Sequence, residues 1–187
     1  MKHRIHPDAF LPRTASRWAC LLLAVALGSP AGCGYSVVRY KGAIPETETL
    51  AIAGLSNESY EPGVEAVVLD ALRREALRRD GLRLIEDPER ADLVISGSVS
   101  GLSAGPRSFS SVVLALEYEV YMNVRLRAEH RDGRVFPIDG RATSASDVYL
   151  ASADVEATRK NRRETIHRLA NVVAERVYDS LYESAAP

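Results

Sequence analysis

Few side chains in this sequence have the types and spacing that acid–base or metal chemistry requires. Glu117 and Glu119 lie two residues apart in an alternating segment, which places both carboxylates on one face of a strand, about 7 Å apart. Such a pair can serve a glycosidase, but carboxylates on the wet face of a sheet are normally only solvated. His130 and His167 have no neighbouring ligand at a metal-binding spacing. We therefore predict no catalytic residue, no metal site and no cofactor.

Cys33 is the residue with the most specific predicted chemistry. It follows a basic segment, residues 1–17, and an apolar run of ten residues, Trp18–Leu27. A basic head, a short apolar middle and a small-residue end are typical of a secretory signal peptide, and the run falls short of the roughly 20 residues that span a bilayer. The ending Ala31-Gly32-Cys33 resembles a bacterial lipoprotein signal, in which the cysteine is lipidated and becomes the new N-terminus.

One position departs from that pattern, because Pro30 stands where such signals usually carry leucine. An ordinary cleaved signal with a free thiol at Cys33 and a simple N-terminal membrane anchor therefore stay open. The lipoprotein interpretation predicts that residues 1–32 are removed, that 33–48 form a lipidated N-terminus and short linker, and that 49–187 form one domain. In lipoproteins that resemble this one, an aspartate directly after the cysteine tends to retain the protein at the inner membrane. Here that residue is Gly34, which favours the outer membrane.

The charge and cysteine counts exclude other classes of protein. The leader holds four of the 24 Lys and Arg residues and one of the 25 acidic residues, so the remaining chain has a net charge of −4. That balance gives no electrostatic basis for nucleic-acid binding. Since the other cysteine, Cys20, lies in the leader, no internal disulfide is possible after processing.

The periodicity of apolar residues predicts a short series of elements. One segment has the clearest pattern: within Val112–Glu129, every second residue from Leu114 to Ala128 is apolar and the other face is mostly polar from Glu117 on, as expected of a long strand with one dry and one wet face. Asp132-Gly133 then predicts a hairpin turn. The remaining predictions are a strand at Thr49–Ser56, a helix at Val64–Arg79, a short extended piece at Leu82–Ile85, a strand at Ala91–Leu102, a flexible loop at Ser103–Ser111, a return strand at Val135–Ala145 and a C-terminal helix capped by Ser152 or Asp154.

This order predicts an α+β fold. Two amphipathic helices would pack on one face of a mixed sheet of about four strands, forming a two-layer sandwich whose other face stays polar. Gly97 in mid-strand suggests a bulge or a close approach of another chain segment.

Several residues, taken in order, resemble the lipopolysaccharide-assembly lipoprotein family LptE, over nearly the whole chain after the leader. The motifs that carry the resemblance are Cys33-Gly34-Tyr35, the Pro62-Gly63 helix start after an Asn-containing turn, Ala91-Asp92 opening a strand that contains Gly97, Tyr118 in the long strand, and Tyr149 with Asp154 before the last helix.

The resemblance implies a function and partners. LptE-like proteins sit inside the lumen of LptD, a large outer-membrane β-barrel, where they act as a plug, help the barrel assemble and contact lipopolysaccharide on its way to the outer leaflet. Lipopolysaccharide carries phosphates, and arginine pairs with phosphate through two hydrogen bonds. By chemistry and position alone, the candidate contacts are Arg107, Arg125, Arg127 and Arg134, each of which is otherwise a solvated surface arginine.

A second class of envelope lipoprotein shares the strand–helix–strand opening. Outer-membrane scaffold or activator lipoproteins, which serve cell-wall synthases or secretion systems, often reach their partners through a longer disordered tether. Here about 15 residues separate Cys33 from the first predicted strand, a span of at most ~50 Å. The short linker favours a domain held against the membrane.

Overall fold

The computed structural model describes residues 44–79, 81–111 and 115–185, with the backbone alone at Ala115. The predicted signal peptide, Cys33 and Gly34 lie outside these residues, as does the start of the predicted long strand. Within the described ranges, no helix has the length and apolar character needed to cross a membrane.

The chain forms two helices and six strands in the described residues. The strands are β1 (Thr49–Asn57), β2 (Arg83–Leu84), β3 (Leu93–Phe109), β4 (Ala115–His130), β5 (Val135–Phe136) and β6 (Ser144–Leu150). The helices are α1 (Val64–Arg79) and α2 (Val155–Ala185), and a short 3-10 helix covers Pro88–Arg90.

One mixed sheet contains all six strands in the order β2-β1-β3-β4, with β5 and β6 both paired to the far side of β4. β1 runs parallel to β2 and β3, whereas β4 is antiparallel to β3, β5 and β6. The predicted two-layer α+β fold is confirmed, but the sheet has six strands instead of about four. Two of the six strands, β2 and β5, contain only two residues each.

The core lies between the sheet and the two helices. Even-numbered residues of β4 such as Val120, Met122 and Val124 are buried, while the odd-numbered residues face the side without helices. α1 packs on β1 and on α2, and α2 packs on β6 and β4. The amphipathic character expected of the last helix is confirmed, since the apolar residues at helical spacing on one of its faces are buried: Ile166, Leu169, Ala170, Val173, Val177 and Leu181.

The predicted flexible loop at Ser103–Ser111 is wrong over most of its length. β3 continues to Phe109 and stays paired with β4, as in the pairs Ser103–Tyr121 and Gly105–Glu119. The Ser, Gly and Pro composition is typical of a loop, but the backbone groups of the long strand β4 need partners on this side. A register shift after Val99 introduces one extra residue without ending the ladder.

The predicted return strand at Val135–Ala145 is wrong over most of its length, because β5 covers only its first two residues and β6 begins at Ser144 and continues to Leu150, beyond the predicted end. Pro137 lies in the interruption, where a residue without an N–H cannot continue a ladder. A turn follows in which Ala142 N donates to Asp139 O at 2.9 Å, and Asp139 N donates to the Ser180 hydroxyl of α2 at 2.8 Å.

Gly97 allows the two central strands to approach closely. Its φ angle is +152°, and a Cβ atom built on it would lie 1.9 Å from the backbone oxygen of Arg125 on β4. The pairing of β1 with β3 also shifts register beside it, between Ile52 and Leu55. The predicted close approach at this glycine is confirmed.

Candidate functional site

The face of the sheet opposite the helices is a continuous, mostly polar surface. β4 supplies its odd-numbered side chains, which are long, and β3 supplies serine and glycine residues beside them. The side chains of β4 therefore project further from the sheet than those of β3. The surface, named the open face below, comprises Ser96, Ser98, Gly101, Ser103 and Gly105 of β3 and Glu117, Glu119, Tyr121, Asn123, Arg125, Arg127 and Glu129 of β4.

Arg125 and Arg127 lie side by side at the centre of the open face, about 7 Å apart along the strand. Arg125 pairs with Glu58, which lies just after β1, and Arg127 pairs with Glu129 at 3.0 Å. All four side chains are about half exposed or more, so these ion pairs contribute little to stability. Both guanidinium groups can therefore exchange a carboxylate partner for a phosphate at small cost.

Arg107 lies at the opposite end of the open face from the β4–β5 turn. It is exposed and falls at a register shift between Pro106 and Ser108. Among the described residues it forms no ion pair. Nearby, the hydrogen bond to the Glu119 carboxylate raises the pKa of the Tyr121 hydroxyl, and the charge of Arg107 opposes that rise. Of the four predicted arginines, Arg107 is the one whose charge is not already balanced.

Arg134 belongs to the β4–β5 turn. Its guanidinium pairs with Asp132 at 2.6 Å and with Glu46 at 2.9 Å. The hydrogen bond from the Arg134 backbone N–H, reinforced by those from the His130 ring and the Arg134 side chain, lowers the pKa of Asp132 to about 2. This arginine closes a turn, so its local role is structural.

The structure does not bring the four arginines together into one site. Arg125 and Arg127 are neighbours, but Arg107 lies roughly 25 Å from Arg125 along the sheet, and Arg134 lies beyond the other end of β4. Three of them thus lie along one polar strip, although the sequence predicts a loop at Arg107, and the fourth lies in the predicted turn.

Asp92 is the polar residue whose role sequence reasoning missed. Its Oδ2 accepts hydrogen bonds from Glu48 N at 3.0 Å, Thr49 N at 2.9 Å and the Thr49 hydroxyl at 2.7 Å, and its Oδ1 lies 2.7 Å from Arg131. The Thr49 hydroxyl makes the largest contribution to lowering the pKa of Asp92 to about 2. Asp92 therefore links the starts of β1 and β3 to the β4–β5 turn. Its place just before β3 is the only sequence signal for this.

Arg79, the last residue of α1, has a structural role. The Arg79 side chain is 2% exposed and pairs with Glu75 at 2.5 Å and with Asp179 of α2 at 2.7 Å. Its guanidinium carbon also lies 5.7 Å from the ring centres of both Tyr178 and Tyr182. Burial would raise the pKa of Glu75, but its hydrogen bonds to arginine lower it. Arg79 thus joins the two helices.

The carboxylate pair considered for catalysis lies where the alternation predicted. Glu117 and Glu119 both face the open side, and Glu119 contacts Tyr121. Within the described part of the chain, no group of three or more His, Cys, Asp or Glu side chains is arranged to hold a metal ion.

Comparison with known proteins gives one family. The family model described as "LptE: Lipopolysaccharide-assembly" matches residues 47–181, which is most of the chain. No curated protein matches the sequence.

Solved structures similar to this chain include two lipoproteins. The solution NMR structure of a lipoprotein B from Nitrosomonas europaea is 10% identical, covers 76% of this chain and 87% of its own, and has a TM-score of 0.50. The crystal structure of the rare lipoprotein B from Shewanella oneidensis is 14% identical, covers 71% of this chain and 94% of its own, and has a TM-score of 0.47. At these identities the likeness concerns the fold alone.

Proposed function

Since the chain belongs to the LptE family of lipopolysaccharide-assembly lipoproteins, whose members are associated with the outer membrane, we propose that it plugs and helps assemble an LptD-like outer-membrane β-barrel. In this role it contacts lipopolysaccharide as the lipid is delivered to the outer leaflet. The role is a non-catalytic one. The family match over residues 47–181 is the observation that carries the proposal.

The open face is the feature of the fold that fits a barrel lumen. Large outer-membrane barrels have polar interiors, and a domain that fills such a lumen needs a polar surface on the side it presents to the wall. Here a six-stranded sheet carries helices on one face, and arginine, glutamate, serine and tyrosine side chains on the other. Charged side chains of both signs on the open face suit contact with the polar, water-filled interior of such a barrel.

Membrane attachment is proposed through a lipid on Cys33. A single acyl chain gives only marginal membrane binding, whereas several chains make attachment effectively permanent. From Cys33 to Ile44, where the core begins, the chain has 11 residues and reaches at most ~40 Å. The domain is then held close to the periplasmic surface of the outer membrane, facing the barrel lumen.

Contact with lipopolysaccharide is proposed at Arg107 first, with Arg125, Arg127 and Arg134 as further candidates. Arg107 is exposed and lacks an ion pair among the described residues, so it binds a phosphate without first losing a carboxylate. The other three must exchange a partner. This difference predicts that Arg107 contributes most.

The decisive experiment is purification of the protein from detergent-extracted membranes, followed by identification and quantification of what co-purifies. A large β-barrel protein at about one-to-one stoichiometry is the expected result. A cell-wall synthase or a secretion component in place of a barrel contradicts the plug and supports the scaffold-lipoprotein alternative.

The phosphate contact has its own test. Arg107→Glu should weaken binding of purified lipopolysaccharide at least about tenfold, as expected for loss of a charge-assisted contact, without lowering the melting temperature. Arg73→Glu is the matched control, because Arg73 is an exposed arginine on α1, in the other layer. Equal affinities for the two variants would remove Arg107 from the site.

A further inference from the structure

The outer edge of β3 is open along its second half. β1 pairs with β3 only as far as Asn57 opposite Val99, and Glu58 N makes the last hydrogen bond, to Val99 O at 2.9 Å. From Gly101 to Phe109, β3 pairs with β4 on one side, and no strand of the described residues pairs with the other side.

The register identifies which backbone groups point outward. Leu116 O accepts from Ala151 N, and Val124 N donates to Thr143 O, so the even-numbered residues of β4 direct their backbone groups toward β6. The odd-numbered residues face β3, where their partners are Gly101, Ser103 and Gly105. Consequently, the N–H and C=O groups of Leu102 and Ala104 and the C=O of Pro106 point away from the sheet. Pro106, which has no N–H to offer, occupies an outward position, as prolines in edge strands do.

The opposite edge, formed by β6 on the other side of β4, has different surroundings. β6 also pairs only with β4, but polar side chains occupy several of its outward backbone groups on either side of Ser146. Arg176 donates to Ser144 O at 3.1 Å, Asn161 donates to Leu150 O at 2.9 Å, and Val148 N donates to the Asp147 carboxylate at 2.8 Å. Closing an exposed edge with side chains prevents unwanted strand pairing. Side chains thus obstruct strand pairing at the β6 edge, whereas the outward backbone groups of Leu102 and Ala104 on β3 have no partner among the described residues.

The side chains along the open edge differ between the two faces of the ribbon. Leu102, Ala104 and Pro106 lie on the side of the helices, yet Ala104 and Pro106 are exposed there. On the other side lie Gly105, where an added Cβ would meet nothing within 4 Å, and the exposed Arg107. A strand laid along this edge would therefore meet apolar side chains on one face, and on the other a flat surface ending in a positive charge.

We propose that the outer edge of β3, from Gly101 to Arg107, receives an added strand from another protein. The segment that fits is extended, alternates apolar and polar residues, and carries a carboxylate opposite Arg107. Main-chain hydrogen bonds supply the affinity in such strand addition, and the alternating side chains supply the specificity. The inference goes beyond the proposed function, because it concerns the mode of contact and does not depend on which protein supplies the strand.

Two other occupants fit the edge less well. If two copies paired antiparallel about Ala104, Pro106 of one copy would face Leu102 of the other and leave that carbonyl without a donor, and Arg107 would face Gly101 instead of an acid. An anionic lipid surface is disfavoured as the occupant of the edge itself, because it offers no main-chain N–H and C=O groups to pair with those of Leu102 and Ala104.

The test is site-specific photo-crosslinking in cells that express the full chain, with p-benzoylphenylalanine at Ala104 or, as control, at Ser146 on the closed edge. We expect an adduct at Ala104 whose cross-linked peptide from the other protein is an extended, alternating segment, and at most a trace at Ser146. Adducts of equal yield at both positions, no adduct at Ala104, or an adduct with a second copy of this chain would each overturn the proposal.

A variant pair then tests the hydrogen bonds themselves. Ala104→Pro removes an outward N–H that bonds nothing inside the described structure, whereas Ala104→Ser keeps it. With the photo-crosslinker moved to Leu102, Ala104→Pro should lower the adduct yield roughly tenfold, the effect of one lost main-chain hydrogen bond at an interface. Ala104→Ser should retain the yield.

Hydrogen exchange in the unmodified protein keeps the proposal testable even where the proline variant folds poorly. In the isolated chain the amides of Leu102 and Ala104 should exchange faster than those of Ser103 and Gly105, and they should become protected in the membrane-extracted complex. Unchanged exchange at Leu102 and Ala104 in that complex argues against strand addition, whether or not the co-purified partner is a barrel.

Discussion

Replacing Asp92 with asparagine tests how the start of the sheet is held together. The Asp92 carboxylate accepts hydrogen bonds from the N–H groups of Glu48 and Thr49 and from the Thr49 hydroxyl, and it pairs with Arg131 at 2.7 Å. Asparagine keeps the shape of the side chain, removes its charge and turns one acceptor into a donor. The substitution therefore removes the electrostatic part of the network while leaving the packing nearly unchanged.

The size of the effect follows from the pKa. In the folded protein the hydrogen bond from Thr49, followed by those of the backbone and the charge of Arg131, lowers the pKa of Asp92 from 3.8 to about 2. Each pKa unit corresponds to 1.36 kcal/mol, so the charged form stabilises the fold by about 2 kcal/mol. Solvent screening takes little of this, because the side chain is only 15% exposed. We expect Asp92→Asn to lower the free energy of unfolding by about 2 kcal/mol at pH 7.

The same reasoning fixes the pH dependence. Because the folded pKa lies below the unfolded value, the stabilisation is complete above pH 3.8 and is lost as the pH falls through about 2. The difference in unfolding free energy between the natural chain and Asp92→Asn should therefore narrow between pH 4 and pH 2.

Urea unfolding followed by far-UV circular dichroism measures both effects. Asp87→Asn is the control, since Asp87 accepts one hydrogen bond, from Glu89 N at 3.0 Å, on the exposed 3-10 helix, and should cost less than about 1 kcal/mol. The reasoning fails if Asp92→Asn costs no more than the control at pH 7, or costs the same at pH 2 as at pH 7.

Three further substitutions test other features. Gly97→Ala should cost more than about 3 kcal/mol by the clash of its Cβ with a backbone oxygen 1.9 Å away, whereas Gly101→Ala, where the nearest atom is 4.0 Å away, should be tolerated in thermal unfolding. Glu61→Gln should lower the free energy of unfolding by about 1 kcal/mol, because the two hydrogen bonds from Arg162, at 2.7 and 2.6 Å, then lack a charged acceptor. Added salt should lower the free energy of unfolding of the natural chain toward that of the variant, as expected of an electrostatic interaction. Cys33→Ala should leave a soluble periplasmic protein, and mass spectrometry that finds no lipid on the natural chain would contradict the anchor.

Regular alternation made much of the fold predictable. Every second residue of β4 is apolar, and this alone gave the strand, its buried face and its polar face. The spacing of apolar residues likewise gave the buried side of α2. Both patterns are local, since each follows from the geometry of a single element.

The parts that could not be predicted depend on contacts between distant residues. β3 extends through a Ser, Gly and Pro segment only because β4 lies beside it, and Asp92 contacts Thr49, 43 residues earlier. All four candidate arginines are exposed, but the sequence does not show which of them form ion pairs. Arg125 pairs with Glu58, 67 residues away, whereas Arg107 has no such partner among the described residues.

The long β3–β4 hairpin also makes stability uneven along the molecule. Near Ile95 and Val124 the β3–β4 ladder is buried under the helices on one face and has further chain segments hydrogen-bonded at both edges, whereas around Ala104 and Pro106 β3 is held by β4 alone. Backbone opening should therefore require much less free energy at the far end of the hairpin than at its base. With a strand added along this edge as proposed, the free energy of opening at that end should rise with the concentration of the partner.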